Sequence, residues 1–256
     1  MLNFALCSTR VLARNARQSR KASCPATQVR NERHFLGNAV SSRRARALAR
    51  SATMVVDEPA VETEVDPGKV KGTDLRVLRY PHPLLRAPNA IVEVEEFTDE
   101  LKRIAKEMLL VMYASRGVGL AAPQVGVNKR LMVFNPDGES KAFLKEVVMV
   151  NPSIVGKSKK TTVEPEGCLS FPGMNGNVRR HEWVKVEATR LNGKKFKVRY
   201  EGWIARIFQH EYDHLQGTLY PDKLESAEDE EKVKDRLAEL VEDYRQNPYE
   251  GMEPAL

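Results

Sequence analysis

The hydrophobic pattern of the chain has a helical period in three segments. After Thr98, which is a favourable N-cap residue, apolar side chains recur every three to four positions until Gly117. The same period returns at residues 204–215, and Gly217 follows where glycine often ends a helix. A third apolar stripe begins after Ser226. The pattern therefore predicts three helices, each with one face against the core.

Four short segments show strand patterns, at residues 131–134, 147–150, 184–189 and 195–200. The first two are apolar runs, and each is followed by an Asn-Pro pair that predicts a turn. The last two alternate apolar and polar side chains, and Asn192-Gly193 between them is a strong hairpin signal. These patterns predict an α+β fold in which short antiparallel strands surround the central helix. The other two helices flank it, one on the N-terminal side and one at the C-terminus.

Charge separates the first 50 residues from the rest. They contain eleven Arg and Lys residues against Glu32 alone, and because the whole chain carries +6, the remainder is net acidic. A segment rich in Arg, Ala and Ser with almost no acid is typical of an organelle transit peptide, although a disordered basic arm that binds RNA is an alternative. No stretch approaches the roughly 20 apolar residues that a membrane span needs. We predict a transit peptide and the start of a linker at 1–55, an acidic linker at 56–73, one catalytic domain at 74–246 and a flexible tail at 247–256.

The chain has three cysteines, and two of them, Cys7 and Cys24, lie in the predicted transit peptide. The mature protein would keep only Cys168 and could form no internal disulfide. A lone cysteine of this kind is a buried apolar residue, a nucleophile or a metal ligand.

The central helix contains the sequence FQHEYDHLQG, in which His210 and His214 are four residues apart. This spacing places both imidazoles on one face of a helix, where they could bind one metal ion. Glu211 is rotated by about 100° from His210, so it could act as a general base beside the metal. The alternative is a helix with two histidines that bind no metal.

A metal site of this kind needs a third ligand. Metzincin proteases place a histidine where this chain has Tyr220, so that class is excluded. Four downstream glutamates are a weaker possibility: Glu225, Glu228, Glu230 and Glu231. The better candidate is Cys168 in the motif EGCLS, because one thiolate and two imidazoles leave an open position for water.

A third motif, GVGLAAPQ at residues 117–124, is weak evidence by itself because its glycines could simply end a helix. Together, GVGLAAPQ, EGCLS and HEYDH resemble the peptide deformylases in order and approximate spacing. The resemblance covers about residues 75–225. It is strongest to the bacterial-type form found in plastids and mitochondria of plants and algae, which agrees with the transit-peptide prediction.

The resemblance implies that Cys168, His210 and His214 bind one divalent metal. The expected ion in the cell is Fe²⁺, with Zn²⁺, Ni²⁺ or Co²⁺ as substitutes. Glu211 would take a proton from the metal-bound water and return it to the leaving amine, while the resulting hydroxide attacks the formyl carbon. The side-chain amide of Gln124 and the backbone N–H of Leu169 would stabilise the oxyanion. The protein would be a hydrolase that acts on a linear amide.

The resemblance also implies a substrate, the N-formylmethionyl end of nascent organelle-encoded polypeptides, which the enzyme would meet at the ribosome exit. The residues expected to bind it are Gly117, Val118, Gly119, Glu166, Gly167, Ile207 and His210. We expect no sequence-specific nucleic-acid partner, a monomer or homodimer, and the plastid stroma as location, with the mitochondrion as the alternative.

The chain departs from the family pattern at two places. Asn175 stands near the position where bacterial forms often have an arginine that contacts the peptide backbone, so contacts there are in doubt. Trp203-Ile204 replaces a Leu-Pro pair of related forms, a change expected to affect packing more than chemistry.

Three other functions compete with this interpretation. A zinc peptidase would use His210, His214 and a downstream glutamate. A metal-stabilised binding protein would have the same ligands but no turnover. An RNA-binding protein would depend on residues 1–50 and would leave the three motifs unexplained.

Overall fold

The computed structural model describes residues 70–247 of the chain. The predicted transit peptide lies outside the described residues, as do most of the predicted linker and all but the first residue of the predicted tail. At the start of this range Thr73 is buried, and its hydroxyl donates to Glu107 Oε2 at 2.7 Å. Residues just before position 74 therefore already pack against the body.

The described residues form three α-helices, α1 (Asp99–Ala114), α2 (Gly202–His214) and α3 (Ala227–Gln246). Acidic side chains occupy the first turn of α1, where they interact favourably with the helix dipole. At the start of α3 the Ser226 hydroxyl accepts a hydrogen bond from the Asp229 N–H at 3.2 Å. None of the helices within residues 70–247 is long and apolar enough to cross a membrane.

Between residues 70 and 247 the chain forms seven strands: β1 (Gly119–Ala121), β2 (Leu131–Phe134), β3 (Val147–Lys157), β4 (Thr161–Gly167), β5 (Asn175–His181), β6 (Trp183–Thr189) and β7 (Lys195–Glu201). Five of them form an antiparallel sheet in the order β1-β2-β3-β6-β7, and β4 pairs with β5 in a second sheet. The predicted α+β class, with antiparallel strands and a C-terminal helix, is confirmed.

The predicted turn after residue 150 is wrong. Asn151 and Pro152 lie inside β3, which continues to Lys157. Asn151 has φ 50, and the pairing of β3 with β6 shifts register at this point, as in a β-bulge. The Asn151 side chain holds the bulge in place through two hydrogen bonds with the backbone of Val92, at 2.9 and 2.8 Å.

Three clusters of buried side chains form the core of the described residues. The first cluster packs α1 on β1 and β2. The second packs α2 on the five-stranded sheet through Ala205, Ile207 and Phe208. The third joins the segment around Cys168 to α3. Because α2 also contacts β5 of the smaller sheet, the H-E-x-x-H motif lies between the two sheets.

Candidate active site

The α2 helix and the end of β4 bring together three side chains that could bind a metal ion. His210 and His214 face the same way on α2, with ring centroids 5.2 Å apart. Cys168 directly follows β4, and its Sγ lies 3.3 Å from His214 Nε2. One ligand atom from each of these residues lies within 4.8 Å of the others. A soft thiolate and two imidazoles at this spacing suit one transition-metal ion.

Glu166 fixes the orientation of His210. The Nδ1 atom of His210 lies 3.0 Å from Glu166 Oε2, which leaves Nε2 as the ligand nitrogen. Glu166 also accepts two hydrogen bonds from Arg180, at 2.9 and 2.8 Å, and one from Arg206 at 2.8 Å. Burial alone would raise the pKa of Glu166, but the bonds from Arg180 and His210 outweigh it and hold this pKa far below its usual range. The carboxylate is therefore charged and acts as an acceptor only.

Of the three predicted ligands, only His214 has in the metal-free protein the protonation state that a metal ligand needs, whereas His210 and Cys168 would each have to lose a proton when a metal binds. Burial lowers the pKa of His214, so this imidazole is neutral, as a ligand must be. Burial would lower the pKa of His210 too, but its hydrogen bonds to Cys168 and Glu166 raise it well above the usual value. Burial raises the pKa of the Cys168 thiol in the metal-free protein. A bound cation reverses that preference, because a coordinated thiol loses its proton.

Glu211 is buried beside this cluster, and its Oε2 has no hydrogen-bond partner within the described part of the chain. Burial raises its pKa to about 7, so the group can both accept and release a proton near neutral pH. The backbone of Gly119 runs directly over it, and a Cβ atom at that position would overlap the Glu211 carboxylate. The GVGLAAPQ motif thus contributes a glycine that leaves room for the acid of the H-E-x-x-H motif.

Gln124 lies in the short helix Ala122–Val125, directly after β1. Its Oε1 accepts from the Ala121 N–H at 2.8 Å, which fixes the amide so that Nε2 points toward the cluster. Nε2 lies 3.6 Å from Cys168 Sγ and 3.3 Å from Ser170 Oγ. A preorganised donor therefore stands next to the predicted metal.

A cleft of about 210 Å³ opens onto these groups. It is lined by all seven residues predicted to bind substrate and by Gln124, Cys168, Leu169 and Glu211. His214 is buried and does not line the cleft. Four further lining residues were not predicted as site residues: Arg116, Pro165, Trp203 and Arg206.

The sequence alone could have indicated some of these four residues but not all of them. Trp203, Ile207 and Glu211 are spaced by four on α2 and therefore share its cleft-facing side. The replacement at position 203 thus affects the cleft itself and not packing alone. Arg206 interrupts an apolar helix face four residues before His210, which is a signal of a buried ionic partner. Nothing in the local pattern indicates that the partner is Glu166.

The downstream glutamates that a zinc peptidase would use do not join the Cys168-His210-His214 cluster. Glu225 is paired with Arg179, and Glu228 is paired with Lys232 at the start of α3. Tyr220, in the place of a metzincin histidine, is buried with its ring stacked on that of His210, 6.3 Å between centroids. Cys168, rather than a downstream glutamate, thus completes the cluster.

Fold and site together define an α+β protein with an H-E-x-x-H helix, a cysteine beside its two histidines and a cleft above them. The Polypeptide deformylase family model matches residues 74–230, and the chain belongs to this family.

Several peptide deformylases are similar to this chain in sequence. Peptide deformylase 1B, chloroplastic, of Oryza sativa subsp. japonica is 47% identical over 173 residues, which are 68% of this chain and 63% of the rice protein. Peptide deformylase 1B, chloroplastic/mitochondrial, of Arabidopsis thaliana is 47% identical over 152 residues, 59% of this chain and 55% of that protein. The chain thus spans less than two thirds of these relatives.

The fold of this chain resembles that of solved peptide deformylase structures. A Plasmodium falciparum peptide deformylase has a TM-score of 0.65 at 42% identity, over 68% of this chain and 100% of that one. The plant peptide deformylase PDF1B has a TM-score of 0.66 at 42% identity, over 69% of this chain and 94% of that one.

Proposed function

We propose that this protein is a metal-dependent peptide deformylase that removes the N-formyl group from the initiator methionine of nascent organelle-encoded polypeptides. The observation that carries the proposal is the position of Glu211. It is a buried carboxyl group with a pKa of about 7 that lies between the Cys-His-His cluster and the backbone of Gly119.

Cys168, His210 and His214 would hold one divalent ion, which when bound polarises the formyl carbonyl and makes water more acidic. We expect Fe²⁺ in the cell, with Zn²⁺, Ni²⁺ or Co²⁺ as substitutes, because this donor set suits each of these ions. Glu166 keeps His210 in the tautomer that ligates through Nε2.

Glu211 would transfer the proton. Its carboxylate takes a proton from the attacking water, whose oxygen bonds to the formyl carbon. It then returns the proton to the methionine nitrogen as the C–N bond breaks, which yields formate and a free amine. The Gln124 amide and the Leu169 N–H would donate to the developing oxyanion, and loss of one such donor is worth roughly 2.7–4 kcal/mol of barrier.

The substrate backbone would bind as an added strand. Among the described residues, β1 is an edge strand of the larger sheet and β4 pairs only with β5. The cleft lies between the start of β1 and the end of β4. An extended peptide can therefore pair with one or both strands while its first side chain enters the pocket beside Ile207.

The proposed location is the plastid stroma, with the mitochondrion as the alternative. The support is the basic, acid-poor N-terminal segment together with relatives named chloroplastic and chloroplastic/mitochondrial.

The direct test is hydrolysis of formyl-Met-Ala-Ser by the protein loaded in turn with Fe²⁺, Ni²⁺ and Zn²⁺. We expect one formate released per free amine, with metal retained but turnover lost in Glu211→Gln. The Cys168→Ser variant should lose metal. Cleavage of internal peptide bonds instead of formyl release, or unchanged metal content and activity in Cys168→Ser, would contradict the proposal.

A further inference from the structure

The solvent side of the strands β6 and β7 is basic. The residues of these strands that point the other way, such as Val186 and Val198, belong to the second core cluster, which packs on α2. Because side chains alternate along a strand, the residues between them face outward. Four cations share this outward side, which we call the basic face: Lys185, Lys195, Lys197 and Arg199.

The pairing of the two strands brings these cations close together. Lys185 lies directly opposite Arg199, and like charges in this arrangement are destabilising. The carboxylates of the same strands are already engaged. Glu187 pairs with Lys197 at 2.6 Å, and Glu201 pairs with Arg199 at 2.7 Å. The other two lysines of the basic face have no carboxylate partner among residues 70–247, so an anion from another molecule would relieve the repulsion.

More positive charge lies at both ends of the basic face. Lys194 is in the exposed turn at one end. At the other end the segment 157–160, which contains three lysines, is held against β6 by a hydrogen bond from the Ser158 N–H to the Trp183 carbonyl at 3.0 Å. Together, residues 157–160 and 182–201 contain nine Arg and Lys against three Glu, whereas α3 contains four against eight Asp and Glu. The positive charge is therefore concentrated on this part of the surface.

The chemistry of the basic face favours a polyanion over a lipid surface. Between residues 183 and 201 no large hydrophobic side chain is exposed, and insertion into a membrane interface needs such side chains. The guanidinium of Arg199 lies over the Trp183 ring, 4.3 Å from its centroid, which preorganises a group that binds phosphate through two hydrogen bonds. Cations on alternate residues of β7 are about 7 Å apart. A row of cations at this spacing suits a chain of regularly spaced phosphates.

We propose that the basic face binds the phosphate backbone of structured RNA without reading its sequence. The inference rests on the proposed function, because a nascent chain reaches the enzyme while it is attached to a ribosome, whose surface is rich in RNA. None of the residues that line the cleft belongs to β6 or β7. RNA held at the basic face therefore leaves the cleft open to the peptide. Such binding agrees with the expectation that the protein has no sequence-specific nucleic-acid partner.

The test measures binding of a fluorescein-labelled RNA duplex of about 20 base pairs, by anisotropy, between about 50 and 200 mM salt. All proteins are the full chain with the eleven basic residues of positions 1–50 changed to Gln, so that this segment contributes no positive charge. The logarithm of the association constant should fall linearly with the logarithm of the salt concentration. The double variant Lys185→Gln/Lys195→Gln should bind about tenfold more weakly and reduce this slope by about two, one for each lost phosphate contact.

Lys106→Gln/Lys141→Gln is the matched control, because it removes the same charge from exposed lysines of α1 and of the connection between β2 and β3. It should bind the duplex as the parent protein does, and equal melting temperatures of all three proteins would show that each is folded. Equal affinity and slope in the two double variants overturn this inference. Tighter binding to vesicles of anionic phosphatidylglycerol than to RNA, dependent on Lys185 and Lys195, overturns it as well. RNA binding is measured without peptide, so failure to deformylate formyl-Met-Ala-Ser counts against the proposed function alone.

Discussion

The proposed proton transfer depends on single residues, and Glu211 is the clearest case. Its carboxyl group is held in a buried position that favours the neutral form, between a helix and the backbone of Gly119. Activity and stability should therefore depend on this side chain in opposite ways.

Glu211→Gln should reduce kcat by about 100- to 10,000-fold while the bound metal is retained, since general acid–base catalysis contributes that much. In the wild type, kcat/KM should rise with pH through about 7 and then level off, because the base form of Glu211 exists only above its pKa. A profile with no inflection near neutral pH would assign the proton transfer to another group.

The same substitution should stabilise the metal-free protein at alkaline pH. In the unfolded chain Glu211 loses its proton near pH 4.5, whereas in the folded protein it does so near 7. The unfolded state then binds fewer protons between these values, so the free energy of unfolding falls as pH rises through this window. The loss is up to about 3 kcal/mol and should be absent from Glu211→Gln. Urea unfolding of both chelated proteins at pH 5 and pH 8 measures the difference.

Gly119→Ala should lower kcat/KM by about 100-fold through displacement of the Glu211 carboxylate, since small misplacements of reacting groups have effects of this size. Gly156→Ala in β3 is the matched control. Its new Cβ would meet Lys185 at an ordinary 3.5 Å, and activity should stay at the wild-type level. Equal activity of both variants would show that Glu211 has room to move.

At the scale of elements, Arg206 ties α2 to the β4–β5 sheet. Its guanidinium donates to Glu166 and to the carbonyl of Val178, and to both the carbonyl and the hydroxyl of Thr162. It also pairs with Glu164 at 3.1 Å. These contacts hold Glu166, and through it His210, in a fixed position relative to Cys168 at the end of β4.

Arg206→Met should therefore weaken metal binding by about 10- to 100-fold, as loss of groups that orient a ligand does. It should also destabilise the fold by about 3–5 kcal/mol, because Glu166 loses a buried partner. Competition with a chelator and urea unfolding measure the two effects. Arg179→Ala, which removes an exposed pair on the same strand as Arg180, should cost at most about 1 kcal/mol and leave metal affinity unchanged.

At the scale of the whole molecule, the predicted metal would join two parts of the core. Cys168 belongs to the cluster that packs against α3, whereas α2 packs against the five-stranded sheet. An ion held by Cys168, His210 and His214 would therefore bind only the folded protein, and its binding energy would add to stability.

Removal of the metal should lower the melting temperature of the protein by roughly 5–10 °C, the shift expected when a ligand at 100 times its Kd is lost from a domain of this size. Calorimetry before and after chelation measures it. The melting temperature of Cys168→Ser should not respond to chelation, and an equal response in wild type and variant would place the metal elsewhere.

The sequence by itself determined the helices, four strands and the three motifs, because each is encoded by local spacing: a helical period, an alternation, or two histidines four residues apart. Only the tertiary structure decided the rest. The predicted turn at Asn151-Pro152 became a bulge because Val92, distant in the chain, bonds to the asparagine side chain. The strands β4 and β5 were missed because Glu166 and Arg180 occupy inward positions that normally hold apolar residues. Those buried charges are stable only as partners of one another and of Arg206 and His210, and such pairing depends on distances between elements that no local pattern contains.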